Sequence, residues 1–286
     1  MSSSEILEPF SSDFDPLSYS LSKSHFQTAF CFLRSPLKRQ ALGDFYAYCR
    51  LVDDLCDETS LPLEPRRRAL KQIHTWLADA NSQNHPFWNR LNQHILHLQL
   101  DPSLFVNILK GVESDIQSDS NQLVSFETWQ NVYDYIQGVA CDVGEVCLQI
   151  LGAKHSKQHE YAQNLGRCVQ LLNIMRDLES DIEQNRVYLP QELLKSFGPE
   201  FVPLPNREVY PAIRDILYEL AISFRQKARA YSWSCYIAEL MVNLYIEAAS
   251  RYWRHGVNRR LNKFQKLLIS LKLSLQFVFS ARNFSS

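Results

Sequence analysis

A polar stripe runs along an otherwise apolar stretch of this chain, between positions 170 and 181. Its members recur at spacings of three, four and four residues: Gln170, Asn173, Asp177 and Asp181. Because these spacings follow the helical period, a helix would place all four side chains on one face. The other faces carry leucine, isoleucine and methionine, which predicts a largely buried helix. Since buried polar groups are stable only with partners, this stripe requires a fold that supplies them.

A second acidic stretch, YAYCRLVDDLCDE, lies more than a hundred residues earlier. On a helix Asp53 and Asp57 share one face, and Tyr46 and Arg50 precede them on the same stripe. Two carboxylates one turn apart repel each other, so the helix either exposes them to water or uses them to bind a cation. The flanking residues are apolar, which favours cation binding over a solvated acidic face.

Carboxylate oxygens are ligands that suit Mg²⁺, which often bridges to the phosphates of a substrate. Two such stripes facing each other across a cavity would hold a diphosphate, and Arg50, Arg176 and Arg186 could contact its oxygens. If that diphosphate leaves a prenyl group, an allylic cation remains, and aromatic ring faces would stabilise it. Several rings near the motifs are candidates for this role or for the ordinary core: Phe26, Phe30, Phe45, Tyr46, Tyr48 and Tyr135.

The chain has only 8 glycines in 286 residues, and most of its long segments lack turn signals, which predicts an all-α fold. A first helix is predicted from Pro16 to Phe32, and a second begins at Pro36 and carries the first motif. The next is predicted from Arg66 to Ala80, and the later ones cover 86–98, 102–116, 126–151, 156–184, 190–196, 208–229, 231–254 and 258–279. No repeat or long linker divides the chain, so we expect a flexible tail over residues 1–18 and one domain over 19–280.

Charge, cysteine content and hydropathy narrow the class of protein. The formal net charge is −1, so bulk charge does not indicate nucleic-acid binding. The 7 cysteines form no Cys-x-x-Cys pair, which predicts reduced thiols in a cytoplasmic protein. The first residues lack the pattern of a signal peptide, and no run of about twenty apolar residues predicts a spanning helix.

The charged residues that follow Glu247 are all basic, from Arg251 to Arg282. Leucines and phenylalanines alternate with them, so a C-terminal helix here could make peripheral contact with an anionic membrane. The other interpretation is a last helix that covers the core and exposes its basic face to water.

The two motifs together resemble the squalene/phytoene synthase family, the head-to-head prenyl synthases. The resemblance rests on FYAYCRLVDDLCDE paired with LGRCVQLLNIMRDLESDIEQNRVYLP. Two further segments, SKSHFQTAF and YDYIQGVACDVGEVCLQILG, extend it over about residues 20 to 275. It implies an all-α, single-domain helical bundle of the isoprenoid-synthase type with a central active-site cavity. It also implies a prenyltransferase that uses prenyl diphosphates and Mg²⁺, with Mn²⁺ as an alternative ion.

The resemblance assigns roles to individual positions. It implies five metal ligands: Asp53, Asp57, Asn173, Asp177 and Asp181. It implies four catalytic residues: Tyr46, Arg50, Tyr135 and Arg176. Its substrate-binding residues are Phe26, Gln170, Asn173, Arg186, Tyr188 and Tyr245.

The chain departs from the family pattern at several positions. Arg34 and Ser35 replace a usual Leu-Pro pair, and Asn185 replaces the glycine before Arg186. Asparagine tolerates the left-handed backbone conformation, so we expect that turn to survive. Asp142 stands where the family has an apolar residue or a Ser or Thr. It either lies near the cavity and affects the choice of chain length or faces solvent.

Within the family the segment RVYLPQEL favours a presqualene diphosphate synthase acting on two farnesyl diphosphates. Phytoene synthase, which uses two geranylgeranyl diphosphates, and squalene synthase, which uses NADPH, stay open as alternatives. The choice between C15 and C20 substrates and the use of NADPH are therefore undecided by sequence.

Other classes fit less well. DDLCD also matches the first motif of chain-elongating prenyltransferases and of terpene cyclases, but the second motif of neither class is present. A non-catalytic relative that serves as an assembly or binding protein would not need all five metal-ligand positions, and all five are present.

Overall fold

The computed structural model describes residues 33–57, 62–78, 85–116, 123–153, 156–228 and 235–255. Within these ranges the regular secondary structure is helical apart from two short strands, which confirms the all-α prediction. The predicted tail, the helix from Pro16 to Phe32 and the basic C-terminal helix over 258–279 lie outside the described residues.

Ten α-helices and two strands make up the described ranges. The first four helices in chain order are α1 (Pro36–Asp57), α2 (Leu63–Ala78), α3 (Pro86–Leu98) and α4 (Pro102–Ile116). After strand β1 (Val124–Phe126) come α5 (Trp129–Ile136), a π-helical turn (Gln137–Cys141), α6 (Asp142–Leu151) and α7 (Gln158–Glu183). Strand β2 (Arg186–Pro190) precedes α8 (Gln191–Lys195), a 3₁₀ turn (Pro199–Phe201), α9 (Tyr210–Lys227) and α10 (Tyr236–His255).

The described residues belong to two compact units, the first within residues 1–120 with 149–151, and the second over the rest. In the first unit α1 packs against α2, α3 and α4. Aromatic side chains form much of its core, and the buried Tyr48 hydroxyl donates a hydrogen bond of 2.7 Å to the Phe105 carbonyl. Phe45 lies edge-on to Phe105, with ring centroids 5.4 Å apart. Phe45 and Tyr48 are therefore core residues.

The second unit is built around α7, which packs against α9, α10 and the π-helical turn. Its apolar face contributes Leu171, Leu172, Ile174, Met175 and Leu178 to the core, as the pattern around the polar stripe predicts. The same helix therefore presents a polar stripe and an apolar face, and the packing of the second unit fixes its orientation.

Two strands are the main departure from the predicted helices. β1 pairs in parallel with β2, and Val124 lies opposite Arg186. The helix predicted from position 126 begins only at Trp129, because Thr128 and Asn131 form a capping box there. Asn185 precedes β2 with a φ of 59°, so the expected left-handed turn is confirmed.

The segment predicted as one helix over 126–151 contains a π-helical turn. This turn lies against α7 at Gly166, where a Cβ atom would come within 2.6 Å of the Cys141 Cα. The absence of a side chain at Gly166 therefore permits the close approach of the two segments.

No helix in the described parts of the chain combines the length and the apolar character needed to cross a bilayer.

Candidate active site

The polar stripe of α7 forms a continuous hydrogen-bonded network with α10. Arg176 donates from Nε to Asp177 Oδ1 at 2.7 Å and from Nη2 to Oδ2. Its Nη1 donates to the Tyr245 hydroxyl at 2.9 Å. That hydroxyl donates to Asn173 Oδ1, and Asn173 Nδ2 donates to Gln170 Oε1 at 3.0 Å. Five of the predicted site residues are therefore brought together.

Charge and burial set the protonation states in this network. Burial raises the pKa of Tyr245 to about 12, so its phenol stays protonated at neutral pH and can donate to Asn173. The hydrogen bonds with Asp177 raise the pKa of Arg176 above its ordinary value, so this guanidinium stays charged. The network thus presents a fixed cation beside a carboxylate and an amide.

The carboxylates of α7 remain accessible. The side chain of Asp177 is 37% exposed, and Asp181, one turn further on, is also partly exposed. Each oxygen of a carboxylate has two lone pairs, so the hydrogen bonds from Arg176 leave Asp177 with capacity for another ligand. Asp177 can therefore pair with Arg176 and bind a cation as well.

In the first motif, Asp53 is exposed, whereas Asp54 is buried with 6% of its surface accessible. Arg50 forms an ion pair with Asp54, in which Nε donates a hydrogen bond of 3.1 Å to Oδ2 and Nη2 lies 2.7 Å from Oδ1. Helical spacing puts Arg50 on the stripe of Asp53, but its ion pair is with the neighbouring carboxylate. The backbone of Asp57 ends α1, and its side chain lies outside the described residues.

Tyr46 lies one turn before Arg50 on α1 and is partly exposed. This position agrees with the predicted stripe of Tyr46, Arg50 and Asp53, and it leaves part of the phenol ring accessible.

A cluster of three aromatic rings lies in the second unit. Tyr135 of α5 stacks on Tyr188 of β2, with ring centroids 5.1 Å apart and an angle of 17° between the planes. Phe126 of β1 packs against both rings, at 5.6 Å from Tyr135 and 6.3 Å from Tyr188. Sequence reasoning singles out the two tyrosines but not Phe126, because its position depends on the strand pairing.

Of the remaining predicted positions, Arg186 is partly exposed at the start of β2, and Phe26 lies outside the described residues. Asp142 has only 2% of its surface accessible and accepts a hydrogen bond of 2.6 Å from Gln137 Nε2. The alternative in which Asp142 faces solvent is therefore wrong.

A cluster of three or more histidine, cysteine, aspartate or glutamate side chains able to hold a metal ion does not occur among the described residues. Of the four aspartates among the predicted ligands, Asp53, Asp177 and Asp181 have described side chains. The five-residue metal set thus stays a prediction.

Comparisons with known proteins agree with these observations. A family model described as squalene/phytoene synthase matches residues 21–240. The chain is 29% identical over 167 residues to the presqualene diphosphate synthase of Zymomonas mobilis, covering 57% of this chain and 55% of that protein. It is 30% identical over 164 residues to the 4,4'-diapophytoene synthase of Staphylococcus haemolyticus, covering 56% of each. The matches thus span a little over half the length of these relatives.

Two solved structures share the fold. A dehydrosqualene synthase in complex with ligand superposes with a TM-score of 0.77 at 23% identity, covering 92% of this chain and 96% of that one. The squalene synthase HpnC from Alicyclobacillus acidocaldarius superposes with a TM-score of 0.62 at 19% identity, covering 94% and 92%. At this level of identity, the likeness shows the fold.

Proposed function

Because this chain belongs to the squalene/phytoene synthase family, we propose that it condenses two prenyl diphosphates head to head. The observation that carries the proposal is the network joining Asp177, Arg176, Tyr245 and Asn173. It combines oxygen ligands for a metal with a charged guanidinium for phosphate oxygens in one place. Such a combination suits a diphosphate that leaves with metal assistance.

The proposed substrate is farnesyl diphosphate, and the proposed product is presqualene diphosphate. Relatives with the name presqualene diphosphate synthase match this chain at 29% to 30% identity. A 15-cis-phytoene synthase from Pantoea ananas matches at 29% over 205 residues, so phytoene from two geranylgeranyl diphosphates is the alternative product. Squalene would require a further reduction by NADPH.

The donor set of the two motifs fits Mg²⁺, with Mn²⁺ as an alternative ion. Carboxylate and amide oxygens are the ligands that such ions prefer. Among the described members, Asp53 is exposed, and Asn173, Asp177 and Asp181 are partly exposed. In this proposal the ligands are Asp53, Asp57, Asn173, Asp177 and Asp181. The bound ions would act as Lewis acids that neutralise the diphosphate as its bond to carbon breaks.

The side chains of the network would orient the leaving diphosphate. Asp177 and the Tyr245 hydroxyl already hold the Arg176 guanidinium in place, so this side chain needs little reorganisation to contact phosphate oxygens. The Tyr245 hydroxyl holds the Asn173 carbonyl oxygen in a fixed direction. Tyr245 therefore acts as a donor to Asn173 and as an acceptor from Arg176, and its proton stays on the phenol.

The reaction leaves a prenyl cation at C1 of the first substrate. The C2–C3 alkene of the second substrate attacks it, and loss of a proton closes a cyclopropane. Two farnesyl diphosphates thus yield presqualene diphosphate, diphosphate and a proton, with no reductant consumed. In this proposal the faces of Tyr135 and Tyr188 contribute to stabilising the positive charge.

The test is the release of diphosphate from farnesyl diphosphate by purified protein with Mg²⁺. We expect Asp53→Asn and Asp177→Asn each to lower the rate about a hundredfold or more, because each removes a charged metal ligand. Asp134→Asn is the matched control, since Asp134 is exposed on α5 and accepts a surface hydrogen bond from Gln130. Folded variants of both motifs that retain the wild-type rate would contradict the proposal and favour a non-catalytic role.

A further inference from the structure

Arg66 is a fully buried arginine, with 0% of its surface accessible, in the first turn of α2. Its Nε donates a hydrogen bond of 2.7 Å to the carbonyl oxygen of Leu55. Its Nη2 donates to the carbonyl oxygen of Cys56. Both acceptors belong to the last turn of α1.

The carbonyl groups at the carboxyl end of α1 account for a buried arginine at position 66, whereas its place in the first turn of α2 does not. The last four carbonyl groups of a helix have no donor within the helix, and Arg66 satisfies two of them. A positive charge is favourable near the carboxyl end of a helix and unfavourable near its amino end. Arg66 lies near the amino end of its own helix and at the carboxyl end of α1.

Burial of a guanidinium is costly unless it is hydrogen-bonded, and an apolar side chain in its place would leave the Leu55 and Cys56 carbonyl groups without this donor. The turn that Arg66 binds ends at Asp57 and directly follows Asp53. In the same region Arg50 binds the buried carboxylate of Asp54. Two buried or half-buried arginines thus hold the segment on which the first acidic motif lies.

We infer that Arg66 is a positioning residue for the first metal-binding motif. By binding the Leu55 and Cys56 carbonyl groups, it keeps the last turn of α1 helical although the repulsion between Asp53 and Asp57 favours fraying. Positions 53 and 57 then stay one helical turn apart on the same face of α1 when the motif meets the metal. The inference rests on the proposed function, because a helical last turn of α1 affects metal binding only if Asp53 and Asp57 are metal ligands.

The experiment measures binding of Mn²⁺ by electron paramagnetic resonance in the presence of inorganic pyrophosphate, so it does not depend on turnover. The variants are Arg66→Met, which removes the charge and both hydrogen bonds, and Arg66→Lys, which keeps the charge but not the planar pair of donors. We expect Arg66→Met to weaken Mn²⁺ binding about tenfold, the size seen when groups that orient metal ligands are removed. Arg66→Lys should recover part of that loss.

Arg67→Met is the matched control, because the Arg67 side chain is 52% exposed and lies 3.6 Å from Glu64. It should bind Mn²⁺ as the wild type does. Circular dichroism and thermal unfolding establish that each variant is folded, since a purely structural role would lower stability without changing the affinity of the folded protein.

A folded Arg66→Met protein that binds Mn²⁺ as tightly as the wild type would overturn the inference. If Arg66→Met does not fold, Arg66→Lys is the deciding variant. Because it is expected to recover only part of the loss, Mn²⁺ binding by Arg66→Lys as tight as that of the wild type would also overturn the inference. Absence of Mn²⁺ binding in the wild type would instead contradict the proposed function, and the inference would fall with it.

Discussion

The Tyr245 hydroxyl is the group through which α10 reaches the polar stripe of α7. It accepts from Arg176 and donates to Asn173. Tyr245→Phe removes both hydrogen bonds and leaves the aromatic ring. Since hydrogen bonds to charged groups contribute about 1.5–3 kcal/mol, we expect kcat for diphosphate release to fall about tenfold to a hundredfold.

Tyr218→Phe is the control for that experiment. The Tyr218 hydroxyl shares a hydrogen bond of 2.7 Å with the Ser250 hydroxyl, and the Tyr218 ring stacks on Trp253. Its hydroxyl belongs to the packing of α9 on α10 and not to the network. Equal rates for the two variants would show that the Tyr245 hydroxyl has no special role.

Buried thiols make the folded protein less stable as the pH rises into the alkaline range. Burial raises the pKa of Cys168 from 9.0 to about 12, so between these values the unfolded chain has lost a proton that the folded chain keeps. The stabilisation is complete below pH 9 and is lost as the pH rises toward 12. We expect the thiol to lower the free energy of unfolding by about 1.4 kcal/mol per pH unit in that window.

Urea unfolding of the wild type and Cys168→Ala at several pH values checks this expectation. The variant should show a shallower decline between pH 9 and 12 than the wild type, whatever its stability at neutral pH. Parallel declines would mean that Cys168 does not titrate as a buried thiol.

At single positions, the sequence could predict which residues matter better than it could predict their partners. A left-handed backbone conformation is predicted at Asn185 because asparagine tolerates it. The φ of Asn185 is 59°, as predicted. Arg50 can reach either Asp53 or Asp54 on a helix, and burial decides, because the buried Asp54 is the one that requires a partner. Arg176 and Tyr245 are 69 residues apart, so no local spacing indicates their contact.

At the scale of elements, the contact between α7 and the π-helical turn depends on Gly166. A Cβ atom there would lie 2.7 Å from the Cys141 nitrogen and 2.8 Å from its Sγ. Backbone atoms cannot move as a flexible side chain does, so Gly166→Ala must separate the two segments. We expect a loss of about 1–3 kcal/mol in the free energy of unfolding, as in overpacked cores.

Gly144→Ala is the matched control within α6, because its Cβ would meet only the Ala162 carbonyl oxygen at 3.8 Å among the described residues. Alanine is favoured over glycine inside helices by about 0.5–1 kcal/mol, so this variant should be slightly more stable than the wild type. Chemical denaturation measures both, and a Gly166→Ala protein at least as stable as Gly144→Ala would refute the packing argument.

Helices with clear boundaries could be predicted closely, whereas the strands could not. Proline at the start and a change to polar residues at the end indicate 86–98 and 102–116, and α3 and α4 have these bounds. β1 has three residues, too few to show a period of two. The π-helical turn adds a residue to one turn, which hydrophobic spacing does not reveal.

At the scale of the whole molecule, the fold class can be predicted from two features of the sequence: the small number of glycines and the long segments without turn signals. The family follows from two motifs read together, and a family model that matches residues 21–240 confirms that interpretation. The extent of the single domain expected over 19–280 stays a prediction. The choice of product stays a proposal, because relatives with different products match at nearly the same identity.

The measurement that most directly tests the account is product analysis with purified protein and Mg²⁺. Farnesyl diphosphate and geranylgeranyl diphosphate are supplied separately, each with and without NADPH. We predict presqualene diphosphate from farnesyl diphosphate, one diphosphate released per product, and no effect of NADPH. Squalene formed only with NADPH, or a C40 product, would contradict the proposed product within the family. Failure of the folded protein to release diphosphate from either substrate would contradict the account as a whole.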